Sequence, residues 1–248
     1  MIYITGDTHG GFQRFGCKYF PQQTQMDRND YMIICGDFGG LWDGGQKDQH
    51  WLDWLAEKPF TTLFVDGNHE NFDLLNALPE KEWHGGRVHE VRENILHLLR
   101  GQIFTFGGLT WFTMGGASSD DIQDGVLDPE DPDFEQKYWL LRRMRGMFRV
   151  KGRSWWAEEM PNAREYVEAL KNLEQVNWKV DCILSHCGPS SVVRRIDPSY
   201  GSDQLTDFLE TVDQRCQFTY WFFGHYHDNR IIDDKYILQW EQISALEV

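Results

Sequence analysis

Ile2-Tyr3-Ile4-Thr5-Gly6-Asp7-Thr8-His9-Gly10 begins as a short, mostly β-branched run, breaks at a glycine, and then presents an aspartate and a histidine two residues apart. Four later runs end in the same way. Tyr31–Cys35 stops at Gly36-Asp37, and Thr61–Val65 is followed by Gly67-Asn68-His69-Glu70. Cys182–Leu184 leads into Ser185-His186-Cys187-Gly188-Pro189, and Phe218–Phe223 into Gly224-His225-Tyr226-His227. Short apolar runs closed by glycine read as buried strands. Ligands of open α/β sheets gather beyond the carboxyl ends of such strands. Five strand ends are therefore expected to bring Asp, Asn and His to one rim. Of the nine histidines, five (His9, His69, His186, His225, His227) stand at these junctions, a concentration that points to a site.

Outward from these junctions, further strands are expected at Ile95–Leu99, Gln102–Phe106, Leu109–Met114 and Tyr236–Trp240. Helical patterns lie roughly at Lys47–Glu57, Asn71–Ala77, Ala163–Gln175 and Asp203–Val212. Strands alternating with helices predict an α/β fold, and the closely spaced strands from Arg87 to Met114 predict an antiparallel, hairpin-connected, α+β-like portion. The expectation is a mixed sheet system with helices outside it. At 248 residues the chain suits one domain, 1–248, able to bury a substantial core. One stretch breaks the pattern, an insertion or lid-like segment spanning 117–161. It starts acidic, from Ser118-Ser119-Asp120-Asp121 to Asp133, turns basic at Arg142, Arg143, Arg145, Arg149, Lys151 and Arg153, and ends at Trp155-Trp156. Loop-rich stretches of that length inside a domain are more often functional than incidental.

A net charge of −15 argues against extended nucleic acid and anionic membrane surfaces as partners. It permits a small phosphorylated substrate, because dications bound among carboxylates reverse the local field. The five cysteines (Cys17, Cys35, Cys182, Cys187, Cys216) include no C-x-x-C pair and suit free thiols in a reducing compartment. With a strand at the very start of the sequence and no long apolar run, the chain is expected to be cytoplasmic, without a leader or membrane span.

The residue types at the rim suit two closely spaced dications, which take oxygen and imidazole ligands and share a bridging carboxylate. In an extended Asp7-x-His9 or His225-x-His227 both ligating side chains fall on one face. Glycines beside them let the backbone turn off the strand and approach the ions. Taken singly, an aspartate at a strand end is usually a turn residue and a lone histidine a satisfied polar group. Five ordered blocks together are a different matter.

In order, D-x-H, G-D, G-N-H-E, a lone H and G-H-x-H, from Asp7 to His227, resemble the calcineurin-like metallophosphoesterase superfamily. The resemblance implies a four-layer αββα sandwich, two mixed β-sheets flanked by helices. It implies Asp7, His9 and His227 around a first metal ion, Asn68, His186 and His225 around a second, and Asp37 bridging them. His69 is implied to face the leaving group and to donate a proton or hydrogen bond to it. The cofactors would be two divalent ions drawn from manganese, iron, zinc or nickel. The expected reaction is metal-dependent hydrolysis of a phosphate ester by a water or hydroxide bridging the two ions, leaning to phosphomonoesters or small nucleotides. A diester substrate (a cyclic nucleotide, dinucleotide or short oligonucleotide) is the alternative, and a non-catalytic metal-binding interaction module is the alternative of another class.

The sequence departs from the protein serine/threonine phosphatases of that superfamily. Their Asp-Arg pair after G-D is missing, since Gly36-Asp37 continues as Phe38-Gly39-Gly40-Leu41-Trp42-Asp43. A substitute phosphate clamp is expected from Arg142, Arg143, Arg145 or Arg149, unless that basic run is simply a solvated helix face. His50, His84, His89 and His97 match no motif, and Gly39-Gly40 and Gly44-Gly45 read as turns.

Overall fold

Tyr31-Met32-Ile33-Ile34 is buried at every position, which a strand can satisfy only with a core on each face. Tyr31 and Ile33 join Leu63 and Phe222 in one apolar cluster, while Met32 and Ile34 join Leu52, Phe64 and Leu75 in another. That period-two partition fixes a sheet covered on both sides.

The computed structural model describes residues 1–246. Its strands are β1 (Ile2–Thr5), β2 (Tyr31–Ile34), β3 (Thr61–Phe64), β4 (Glu80–Trp83), β5 (Gly86–Arg92), β6 (Ile95–Leu98), β7 (Gln102–Phe106) and β8 (Leu109–Met114). They continue with β9 (Val126–Leu127), β10 (Arg149–Val150), β11 (Cys182–Ser185), β12 (Tyr220–Phe223), β13 (Arg230–Ile232), β14 (Tyr236–Leu238) and β15 (Ser244–Leu246). The helices are α1 (Gln46–Ala56), α2 (Phe72–Asn76), α3 (Phe134–Met144), α4 (Ala163–Gln175), α5 (Ser190–Ile196) and α6 (Gln204–Arg215).

One sheet has seven strands in the order β15-β1-β2-β3-β6-β5-β4, with β1, β2, β3 and β6 parallel. The other has six, β13-β14-β12-β11-β8-β7, with β14, β12, β11 and β8 parallel. Their inner faces meet in a core where Ile4, Ile33 and Leu63 face Phe104, Leu184 and Phe222. Leu52 and Leu55 of α1 and Phe72 and Leu75 of α2 cover the outside of the first sheet. Ala169 and Leu173 of α4, Val192 of α5 and Leu205 and Leu209 of α6 cover the second. The result is the αββα sandwich of two mixed sheets.

The antiparallel run from Arg87 to Met114 is two hairpins in two different sheets. β5–β6 belongs to the first and β7–β8 to the second. The chain crosses at Gly101, where φ is +69° and a Cβ would press on Ala169 of α4. The segment 117–161 carries more regular structure than its composition suggests, with β9 and β10 paired in parallel and α3 between them. α3 leaves Trp139, Leu140 and Met144 exposed.

Candidate metal centre

The parallel strands β1, β2 and β3 of one sheet and β11 and β12 of the other all end at one rim. Beyond β1, His9 adopts φ +45°; beyond β2, Asp37 adopts +47°; beyond β12, His225 and His227 adopt +70° and +46°. A left-handed backbone at non-glycine residues costs of order 1–3 kcal/mol each and persists only where the surroundings impose it. Here the surroundings are hydrogen bonds. The N–H groups of Thr8 and His9 both donate to the Asp37 carbonyl, at 3.1 and 2.8 Å. Buried Glu70 accepts from the N–H of Phe38 (2.6 Å) and of Gly39 (3.2 Å), locking the turn after β2. Burial, with Asp37 nearby, pushes the Glu70 carboxyl up to about 8.

The side chains converge. Asp7, His9 and His227 can each place one ligand atom within 4.8 Å of the others, and so can Asp7, Asp37 and His186. His227 Nε2 lies 3.2 Å from Asp7 Oδ2, and His186 Nε2 lies 3.5 Å from Asp37 Oδ2 and 3.3 Å from Asn68 Oδ1. His186 Nδ1 donates to the Cys35 carbonyl at 2.7 Å, leaving Nε2 to face the centre. Burial alone would lower His186, but Asp37 and Asp7 overcome it and hold it up at about 10. Burial, reinforced by His186, pulls His225 down to about 4. Two buried carboxylates thus draw positive charge into the cluster.

The donor set fits metal ions. Asp7 Oδ2 is buried and faces imidazole nitrogens, His227 Nε2 at 3.2 Å and His9 Nε2 at 3.9 Å, without a well-formed hydrogen bond, while its Oδ1 accepts from the His225 N–H at 3.0 Å. A buried carboxylate oxygen so placed is costly unless a cation meets it. The backbone also comes unusually close. A Cβ at Gly67 would overlap Asp37 Oδ1, and one at Gly224 would overlap Asp7 Oδ1.

Residues outside the motifs complete the site. Asn68 Nδ2 donates to Ser119 Oγ at 3.3 Å, and Ser119 donates in turn to Glu159 at 2.6 Å, so the segment 117–161 aims the Asn68 carbonyl inward. His69 N–H donates to Asp37 Oδ1 at 2.8 Å. Its ring faces the Arg149 guanidinium, with Nη2 at 2.9 and 3.1 Å from the two ring nitrogens. Arg149 is buried and held by Asp121 through Nε (2.6 Å) and Nη2 (2.8 Å). Burial, with Arg149 adding to it, lowers His69, while Asp37 opposes.

Of the four arginines proposed as a clamp, only Arg149 reaches the rim. Arg142, Arg143 and Arg145 are exposed at the end of α3, where Arg142 bonds Tyr138, and none lines a cavity beside the cluster. His89 and His97 are buried with their Nδ1 atoms 3.1 Å apart, His97 Nε2 meets Asp66 at 3.0 Å and Arg100 Nε donates to Asp66 at 2.8 Å. This polar brace holds the residue just before Gly67-Asn68, and no spacing along the chain announces it.

Two cavities open beside the cluster. One of 460 Å³ is lined by Ser118, Asp120, Tyr200, Ser202 and Asp203 together with His69, His225 and His227. The other, 360 Å³, is lined by Trp42, Lys47, Trp51, Gly39 and Gly40 together with His9 and His69. His69 stands between them.

A family model described as calcineurin-like phosphoesterase matches residues 1–229. A lariat debranching enzyme of Saccharomyces cerevisiae is 25% identical over 185 residues, 69% of this chain and 40% of that protein. Lariat debranching enzyme A of Xenopus laevis is 22% identical over 261 residues, 91% of this chain and 42% of its own length. The chain thus spans less than half the length of these curated relatives. No described helix is long and apolar enough to cross a membrane.

Proposed function

The chain belongs to the calcineurin-like phosphoesterases, metal-dependent hydrolases that typically hold two metal ions, and from that premise we propose that it hydrolyses a small phosphodiester. The observation that carries the diester reading is the pair of cavities meeting at His69. A monoester has one substituent to accommodate and would leave one cavity empty. A diester has two, with phosphorus between them. The names of the curated relatives, lariat debranching enzymes, support the same class.

In this reading Asp7, His9 and His227 hold one ion, Asn68, His186 and His225 the other, and Asp37 serves both. When bound, the ions supply a nucleophile at neutral pH and neutralise phosphoryl oxygens. The protein's own groups do the rest. Arg149, fixed by Asp121, is preorganised to pair with a phosphoryl oxygen, and a guanidinium held by a second carboxylate loses little freedom on binding. His69, hydrogen-bonded through its backbone to Asp37, presents its ring at the junction of the two cavities, where the leaving oxygen needs a proton or hydrogen bond. The segment 117–161 serves as an insertion within a single domain that contributes Ser119, Asp121 and Arg149 to the rim.

Manganese-supplemented protein should cleave bis(p-nitrophenyl) phosphate with higher kcat/KM than p-nitrophenyl phosphate, and chelation should abolish both activities. A clear preference for the monoester would sink the diester reading. Metal binding without turnover of either would return the chain to a non-catalytic module.

A further inference from the structure

The two cavities are chemically unlike, and this bears on which arm of a substrate enters each. The larger offers hydroxyls and carboxylates from Ser118, Asp120, Ser202 and Asp203, with Tyr200 and Tyr226 packed on each other in its wall, and no lysine or arginine lines it. The smaller offers two indoles, bare backbone at Gly39 and Gly40, the carboxylates of Asp43 and Asp48, and Lys47 as its sole lysine or arginine.

Trp42 is 36% exposed, yet it is held in place. Its N–H donates to Asp48 Oδ2 at 2.6 Å, its carbonyl accepts from Asn71 Nδ2 at 2.7 Å, and its ring packs edge-on to buried Trp156 at 6.0 Å. Trp51 is half-buried, with its ring braced edge-on by Phe12 at 6.1 Å. Gly39 has φ +62°, and a Cβ there would overlap His9, so this wall is kept free of side chains. One oxygen of each of the two acids, Asp43 and Asp48, is taken up by backbone N–H groups. Asp48 Oδ2 accepts three backbone N–H groups, from Trp42, Asp43 and Gly44, and Asp43 Oδ1 accepts from Gly45. Lys47 is exposed and makes no ion pair among the described residues. An ordered aromatic wall, an open glycine wall and a free cation together select a flat, electron-rich ring with polar edges.

We infer that the cavity bounded by Trp42, Trp51 and Lys47 is a subsite for a nucleobase-like aromatic group carried on one arm of the substrate, leaving the hydroxyl-lined cavity for the sugar of the other arm. The assignment rests on the diester reading for its second arm. The base subsite stands on its own lining. Its volume of 360 Å³ lies within the range of pockets that enclose a small ligand. The acidic lining of the opposite cavity disfavours a further phosphate there, so the preferred substrate is a short dinucleotide-like diester with no continuing strand on that side.

The test uses the manganese-loaded chain and two phosphonates, isosteres of adenosine 5′-monophosphate and of ribose 5-phosphate, in which a methylene replaces the ester oxygen so that neither is hydrolysed. Calorimetry should find the adenosine ligand bound about 5- to 150-fold more tightly, the range expected for one base stacked on an aromatic side chain. Trp42→Ala should close that gap. Lys47→Ala, at an exposed position that does not threaten folding, should narrow it. Trp139→Ala, on α3 and away from both cavities, should leave it intact. Equal affinity of the two ligands in the unaltered protein overturns the base subsite, as does a gap that survives both Trp42→Ala and Trp51→Ala. The diester reading fails by a different result, a higher kcat/KM on p-nitrophenyl phosphate than on its bis-ester, so the two failures are told apart.

Discussion

Asp37 serves several neighbours at once: Oδ1 accepts the His69 N–H, Oδ2 faces His186 and His9, and its carbonyl accepts from Thr8 and His9. Asp37→Asn keeps an oxygen for His69 but removes the shared charge. Metal content by elemental analysis should fall further than with any other single ligand change, and near-normal occupancy would refute the bridging role. His69→Ala should retain both ions and lose about 10²–10⁴-fold in rate, most for poor leaving groups, as expected of general acid assistance. An equal loss on p-nitrophenyl and alkyl esters would remove His69 from that role. Arg149→Ala should raise KM or lower kcat/KM at unchanged metal content, whereas Arg142→Ala, Arg143→Ala and Arg145→Ala should leave kinetics alone, since those three end α3 in solvent. Unaltered kinetics in Arg149→Ala would defeat the clamp. The sequence pointed to the ligand candidates because each stands at the end of an apolar run, all but His186 just beyond a glycine. It did not single out Arg149 from its neighbours, nor reveal Ser119 and Glu159, because their partners lie tens of residues away along the chain.

Elements deliver these residues, and the glycines at strand exits are the tightest points of delivery. Gly224→Ala would drive a methyl into Asp7 Oδ1, so metal affinity should drop sharply while circular dichroism stays native; full metal binding in that variant would mean the turn has room it does not show. Legibility at this scale followed burial. β2, β3 and β11 are buried at every position and stood out as apolar runs. β4, Glu80-Lys81-Glu82-Trp83, is largely exposed at a sheet edge and has no apolar signature. β13 and β15 have three residues each and owe their pairing to neighbours. α3 was hidden by its charged flanks, although Phe134, Tyr138 and Leu141 keep the spacing of one helix face. The change of sheet at Gly101 leaves no trace in the sequence beyond one glycine among the closely spaced strands from Arg87 to Met114.

Over the whole molecule, a net charge of −15 repels anionic substrates until they come within reach of the centre. At low salt, kcat/KM should therefore fall as an oligonucleotide substrate lengthens, and raising inert salt should recover it, because screening shortens the reach of that repulsion. A value that falls with salt for every length would show that attraction dominates the encounter. The sandwich itself was implied by the motif order more than by composition, since the same strands and helices could be layered in other ways. The motif residues are divided between the sheets: Asp7, His9, Asp37 and Asn68 follow strands of one, while His186, His225 and His227 follow strands of the other. Neither sheet alone holds a complete ligand set for either proposed ion. Hydrolytic competence then works as a logical AND between the two sheets, and a molecule with only one sheet formed, during synthesis or after damage, carries no cutting edge.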